Sequence, residues 1–129
     1  MSKLTREQIL AAEGLELRQM VAEHVMGWTG IYTVHGERSG LVGILDGQHY
    51  AVPHFEELIE RAWLVVEKVG SRDKYEPVLF RIQGPYQDGY LVDVLWCLDD
   101  GAAELASADA ETLPLAICRA ALLAVCGGE

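Results

Sequence analysis

A chain of 129 residues, half of them hydrophobic, is the size of one domain and fills one core, not two. Twenty acidic against ten basic residues give a formal net charge of −10 and a pI near 4.7. This argues against a nucleic acid polymer as partner, since such binding draws on clustered Lys and Arg that release counterions. The longest apolar run, Leu113 to Val125, is broken by Pro114 and Arg119 and falls short of the roughly 20 residues that cross a bilayer, so no membrane partner is expected.

Met1 to Arg6 lead straight into a polar helical pattern with no secretory stretch. The three cysteines, Cys97, Cys118 and Cys126, lie in apolar segments and form no CxxC pair. Reduced, buried thiols and a cytoplasmic location follow as expectations.

Thr5-Arg6-Glu7-Gln8 has the form of a capping box, and Leu17, Met20, Val21 and Val25 then recur at helical spacing. The pattern predicts a helix over 6–26, broken near Gly14 and stopped by Gly27. Ile31 to Val34 reads as a strand, and two further short strands flank Asp46-Gly47, a strong hairpin signal.

Pro53 opens a second predicted helix, over 54–69, whose apolar stripe runs through Phe55, Leu58, Ile59, Ala62, Val65, Val66 and Val69. Pro77 to Ile82 and Tyr90 to Trp96 read as near-continuous apolar strands joined through Gly84 to Gly89, and such strands are usually covered on both faces. After the polar Asp99-Asp100-Gly101, a last helix is expected over 112–126. Val21, Leu58, Ile59, Val66, Phe80, Ile82, Val92, Val94, Ile117 and Ala121 are the expected core.

The order is helix, two or three strands, helix, two strands, helix. Antiparallel hairpins between helices predict an α+β fold, a layered helix–sheet–helix sandwich around a short, mainly antiparallel sheet, in one domain spanning 1–129.

Three stretches of the chain resemble the phage ABA-sandwich domain family of small phage and prophage proteins. They are the opening from Thr5 to Trp28 with its Val25-Met26-Gly27-Trp28 element, the helix around Ala62 to Lys68, and the closing segment Thr112 to Leu122. The resemblance implies a helix–sheet–helix sandwich of phage or prophage origin and brings no activity with it. A phage origin would make the location the host cytoplasm. The glycine-rich Gly36 to Gly43 departs from the family pattern, and function particular to this member could sit there.

The chemistry-bearing residues form no catalytic constellation. His24, His35, His49 and His54 lack HExxH spacing, and His54-Phe55-Glu56 lacks the PCxxC partner of a zinc deaminase. No metal, cofactor or enzymatic activity is expected. Gly36 to Gly40 could bring backbone N–H groups, Arg38 and Ser39 to an anion, or could serve only as a flexible connection. Tyr86 and Tyr90 could stack on a base and Arg81 face a phosphate, or the tyrosines could mark a surface turn and Arg81 pair with Asp93 across the strands.

A protein of charge −10 repels anionic ligands, so a nucleotide must be met by local cations and backbone donors. Lys3 and Arg6 lie by the terminus, Arg61 and Lys68 beside glutamates, and Arg119 in the closing helix. Of the remainder, Arg38 with Ser39 and Arg81 are the expected phosphate contacts, with Tyr86 or Tyr90 against a base. The resulting expectation is a non-enzymatic homo-oligomer that sequesters a small anionic nucleotide signal of host defence, with Trp28 and Tyr32 as interface anchors. The alternative is an acidic inhibitor, or nucleic-acid mimic, of a host protein.

Overall fold

The Thr5 hydroxyl accepts from the Gln8 amide at 3.1 Å, and the Gln8 side chain accepts from the Thr5 amide at 2.8 Å. This reciprocal cap starts α1 (Arg6–Ala11) as its sequence predicts. The computed structural model describes residues 4–34, 40–70, 78–87, 89–98 and 101–126. Within them the expected first helix is two: α1 stops short of the break near Gly14, and α2 (Gly14–His24) resumes with Leu17, Val21 and Ala22 buried.

β1 (Thr29–Val34), β2 (Gly40–Leu45) and β3 (Gln48–Ala51) form an antiparallel sheet in that order. Asp46 and Gly47 both take positive φ, 52° and 81°, the two-residue turn whose twist matches the flanking strands. Residues 36–39 of the glycine-rich segment lie outside the described residues, but its end has a packing reason. A Cβ on Gly43 would meet the Trp28 ring at 2.9 Å and Ile31 at 3.0 Å, so a bare backbone lets Trp28 lie buried against β2.

The second helix starts later than its apolar pattern predicts. α3 (Ile59–Gly70) follows a turn in which the Phe55 amide donates to the Pro53 carbonyl at 2.9 Å and the Leu58 amide to His54 at 3.1 Å. That turn buries Phe55 and Glu56 and rotates the stripe. Ala62, Val65 and Val69 face the core, Val66 is half-buried, and Leu58 and Ile59, expected inside, are 43% and 37% exposed.

β4 (Val78–Tyr86), β5 (Gly89–Leu98) and β6 (Gly101–Ala110) form a second antiparallel sheet with β5 central. Gly84 and Pro85, expected in the connection, belong to β4. β6 was not predicted from the sequence: Gly-Ala-Ala-Glu-Leu-Ala-Ser-Ala-Asp-Ala lacks the β-branched and aromatic residues that mark strands. Tertiary packing overrides that weakness, because Ala106, Ala108 and Ala110 are buried on the sheet face toward the core, and β6 contacts the last helix, α4 (Leu113–Cys126). Small side chains there let helix and sheet approach closely.

α4 is buried nearly all round. It contacts β5 and β6 on one side and α1, α2 and α3 elsewhere, with Ile117, Cys118, Leu122 and Leu123 sealed from solvent. The fold is therefore α+β and antiparallel, but its strands divide into two three-stranded sheets in place of the single sheet expected between helical layers. The buried face of β4-β5-β6 carries Val92 and Val94, with Phe80 and Ile82 half-buried beside them. Its other face carries Arg81, Gln83, Asp93 and Ser107, and exposed Leu79.

Candidate functional site

Arg81 and Asp93 are direct cross-strand partners of β4 and β5, which places both side chains on the outer face of the second sheet. Arg81 donates from Nε and Nη2 to Asp93 Oδ2 at 3.0 and 2.9 Å. Gln83, one pleat along, donates from Nε2 to the same oxygen at 2.7 Å, and the Tyr86 hydroxyl donates to Gln83 Oε1 at 3.2 Å. A continuous polar row thus runs from Arg81 through Asp93 and Gln83 to Tyr86.

Asp93 is 2% exposed, while the Arg81 side chain is 58% exposed. Burial alone would raise the Asp93 carboxyl, but hydrogen bonds with Ser107, Arg81, Gln83 and the Glu104 carboxyl outweigh it and hold the group below the usual aspartate range. The ionised carboxylate fixes the Arg81 fork in position and leaves much of the guanidinium open to solvent.

The row ends at two adjoining hollows around the β4–β5 hairpin end. One, of about 310 Å³, is lined by Tyr86, Gly89, Tyr90, Leu91 and Asp109. The other, of about 500 Å³, is lined by Pro85, Tyr86, Gln87, Gly89, Tyr90 and Glu111. Tyr86 and Tyr90 belong to opposite sheet faces by register, yet both border the two hollows. Gly89 has φ 122°, and a Cβ there would collide with the Ala110 carbonyl.

The structure brings Arg81, Tyr86 and Tyr90 to one hairpin. Arg38 and Ser39 lie outside the described residues. Arg81 is not a free cation: the plain reading of its sequence position, a pair with Asp93, holds, and any anion would share it with that carboxylate. Among the described residues lining the hollows there is no cation. Trp28, expected at an interface, is 6% exposed and packs on Gly43, whereas Tyr32 is 49% exposed.

Sequence reasoning missed Gln83, which joins Tyr86 to Asp93, and it missed a second polar cluster. Arg18 of α2 and Glu56 of the turn before α3 are both 5% exposed and bonded in a fork, Nε to Oε1 at 2.9 Å and Nη2 to Oε2 at 3.0 Å. The hydrogen bond to Glu56 raises Arg18 above its ordinary value. Arg18 Nη2 also lies 3.1 Å from His54 Nδ1, which is 3.0 Å from Glu57 Oε2, and that hydrogen bond lowers the Glu57 carboxyl. A gap of 38 residues separates Arg18 from Glu56, and no local spacing signals it. Cys118 and Cys126 are buried as expected, and burial, with Glu56 nearby, pushes the Cys118 thiol far up, away from a nucleophile.

Described residues hold no cluster of metal-ligating side chains, and none of their helices is long and apolar enough to cross a membrane. The fold and hairpin define a small α+β protein with a polar-aromatic surface site. Residues 19–122 match the model of the phage ABA sandwich domain, and the chain belongs to that family. No curated protein and no solved structure matches it.

Proposed function

We propose that this phage-family protein binds a small anionic nucleotide at the β4–β5 hairpin and acts by sequestering it, without turnover, removing a signal used in host defence. One observation carries the reading. An exposed arginine, held by a buried carboxylate, stands in line with an aromatic ring beside a hollow large enough for a nucleobase. Arg81 supplies phosphate contact and Tyr86 or Tyr90 a stacking surface. Isothermal titration of the full chain against cyclic dinucleotides and cyclic ADP-ribose isomers tests it. Micromolar or tighter binding of one of them is expected, and heat signals absent at micromolar concentrations for the whole panel overturn it.

A second reading has its own observation: Asp109 and Glu111 give the hollows acidic walls beside two tyrosines. Such walls suit a basic side chain of a host protein. Specific recovery of one protein from host lysate, lost in Asp109→Asn/Glu111→Gln protein, together with no nucleotide binding, would favour it.

A further inference from the structure

We propose that β3 is the docking edge for a second copy of this chain, the two β3 strands pairing antiparallel about a two-fold axis at Tyr50. The two sheets present four outer edges among the described residues: β1, β3, β4 and β6. Three are obstructed in the ways proteins use to prevent edge-to-edge pairing. The register of β1 shifts between Thr29 and Tyr32. β4 carries Arg81, a register shift after Gln83, and Pro85, which has no amide hydrogen. β6 carries Glu104 and Asp109, has a shift opposite Val94, and has its Asp109 carbonyl occupied by Arg119 Nη1 at 3.2 Å.

β3 is short, at four residues, but has none of these. Its register with β2 is unbroken, all four of its residues are exposed, and Gln48-His49-Tyr50-Ala51 contains no Lys, Arg, Asp, Glu or Pro. The strands of this sheet contain none of those charged residues at all, in a chain of net charge −10. An acidic chain repels its own copy, and an uncharged edge lets two copies meet without opposing carboxylates. That neutrality commits the edge to a second copy: a basic partner would find no carboxylate on it.

The bonding pattern fits. The two-residue turn makes Leu45 and Gln48 a hydrogen-bonded pair, so Gln48 and Tyr50 bond inward to β2, and the Val52 amide continues the ladder to the Leu41 carbonyl at 2.9 Å. His49 and Ala51 therefore turn their N–H and C=O groups outward. With the axis at Tyr50, His49 of each copy exchanges both bonds with Ala51 of the other, an isologous contact that closes.

Light scattering of the full chain is expected to give twice the 14.2 kDa chain mass, with slow hydrogen exchange at the His49 and Ala51 amides. Ala51→Pro removes an outward donor, and His49→Lys places like charges near the axis. Each is expected to halve the mass while leaving the far-ultraviolet circular dichroism unchanged. Should Ala51→Pro fail to fold, His49→Lys, which leaves the backbone intact, decides. A 14.2 kDa particle at every concentration overturns the proposal. So does a dimer that survives His49→Lys, or one whose His49 and Ala51 amides exchange freely.

Discussion

Arg18 and Glu56 are tied by two hydrogen bonds of 2.9 and 3.0 Å, joining α2 to the turn before α3, with 6% and 3% of their side chains exposed. Removing Glu56 leaves the buried Arg18 charge without its hydrogen-bonded partner, with only the more distant, exposed Glu57 carboxylate near it. Glu56→Ala is expected to lower the unfolding free energy by about 3–5 kcal/mol in urea titration. Glu57→Ala removes a carboxylate that is 58% exposed and 3.6 Å from Arg18, and should cost less than about 1 kcal/mol. Equal losses in the two variants would mean that Glu56 does not carry the Arg18 charge.

Asp93 sets a pH dependence. Its folded-state carboxyl lies below the ordinary range, so the native state favours the ionised form. The stability this adds is fully present above the unfolded value of about 3.9 and is lost as pH falls through the lower folded value. Asp93→Asn should cost about 1–3 kcal/mol at pH 7 and flatten the stability profile below about pH 4. Urea midpoints measured from neutral to acidic pH check both.

Gly89 is where the hairpin end has no room for a side chain. Gly89→Ala adds a methyl against the Ala110 carbonyl in a left-handed conformation, and should cost at least about 1–3 kcal/mol. Gly47→Ala, at φ 81° with open space around it, should cost only about 1 kcal/mol, as backbone conformation alone dictates. Thermal unfolding of the pair separates collision from conformation.

Tyr86 separates stacking from hydrogen bonding in the proposed nucleotide site. Tyr86→Phe keeps the ring and loses only the bond to Gln83, so affinity for a bound nucleotide should stay within about twofold, a change below 0.5 kcal/mol. Tyr86→Ala should cost about 1–3 kcal/mol of binding in titration calorimetry. Equal affinities in both variants would remove Tyr86 from the site.

Ile117 is fully buried in α4. Ile117→Asp places a carboxylate among apolar neighbours at a cost of several kcal/mol, against a total stability of about 5–15 kcal/mol for a domain of this kind. Loss of soluble, cooperatively unfolding protein on expression is the expected outcome.

What the sequence alone determined are features set by contacts between near neighbours. Thr5 and Gln8 cap a helix three residues apart, Asp46-Gly47 turns a hairpin, and the apolar run from Leu113 makes a buried helix, because each signal is complete within one or two turns of chain. The Arg81–Asp93 pair was legible for the same reason, since a short hairpin fixes the register of its strands. Tertiary structure alone decided the rest. β6 is a strand because α4 covers its alanines, against the weak strand preference of those residues. α3 begins late because Phe55 is taken into the core and Glu56 reaches Arg18, a pairing across 38 residues that no periodicity records. Which elements bury α4 is likewise tertiary, since the helix packs against β5 and β6 on one side and against α1, α2 and α3 elsewhere, elements far apart in the chain.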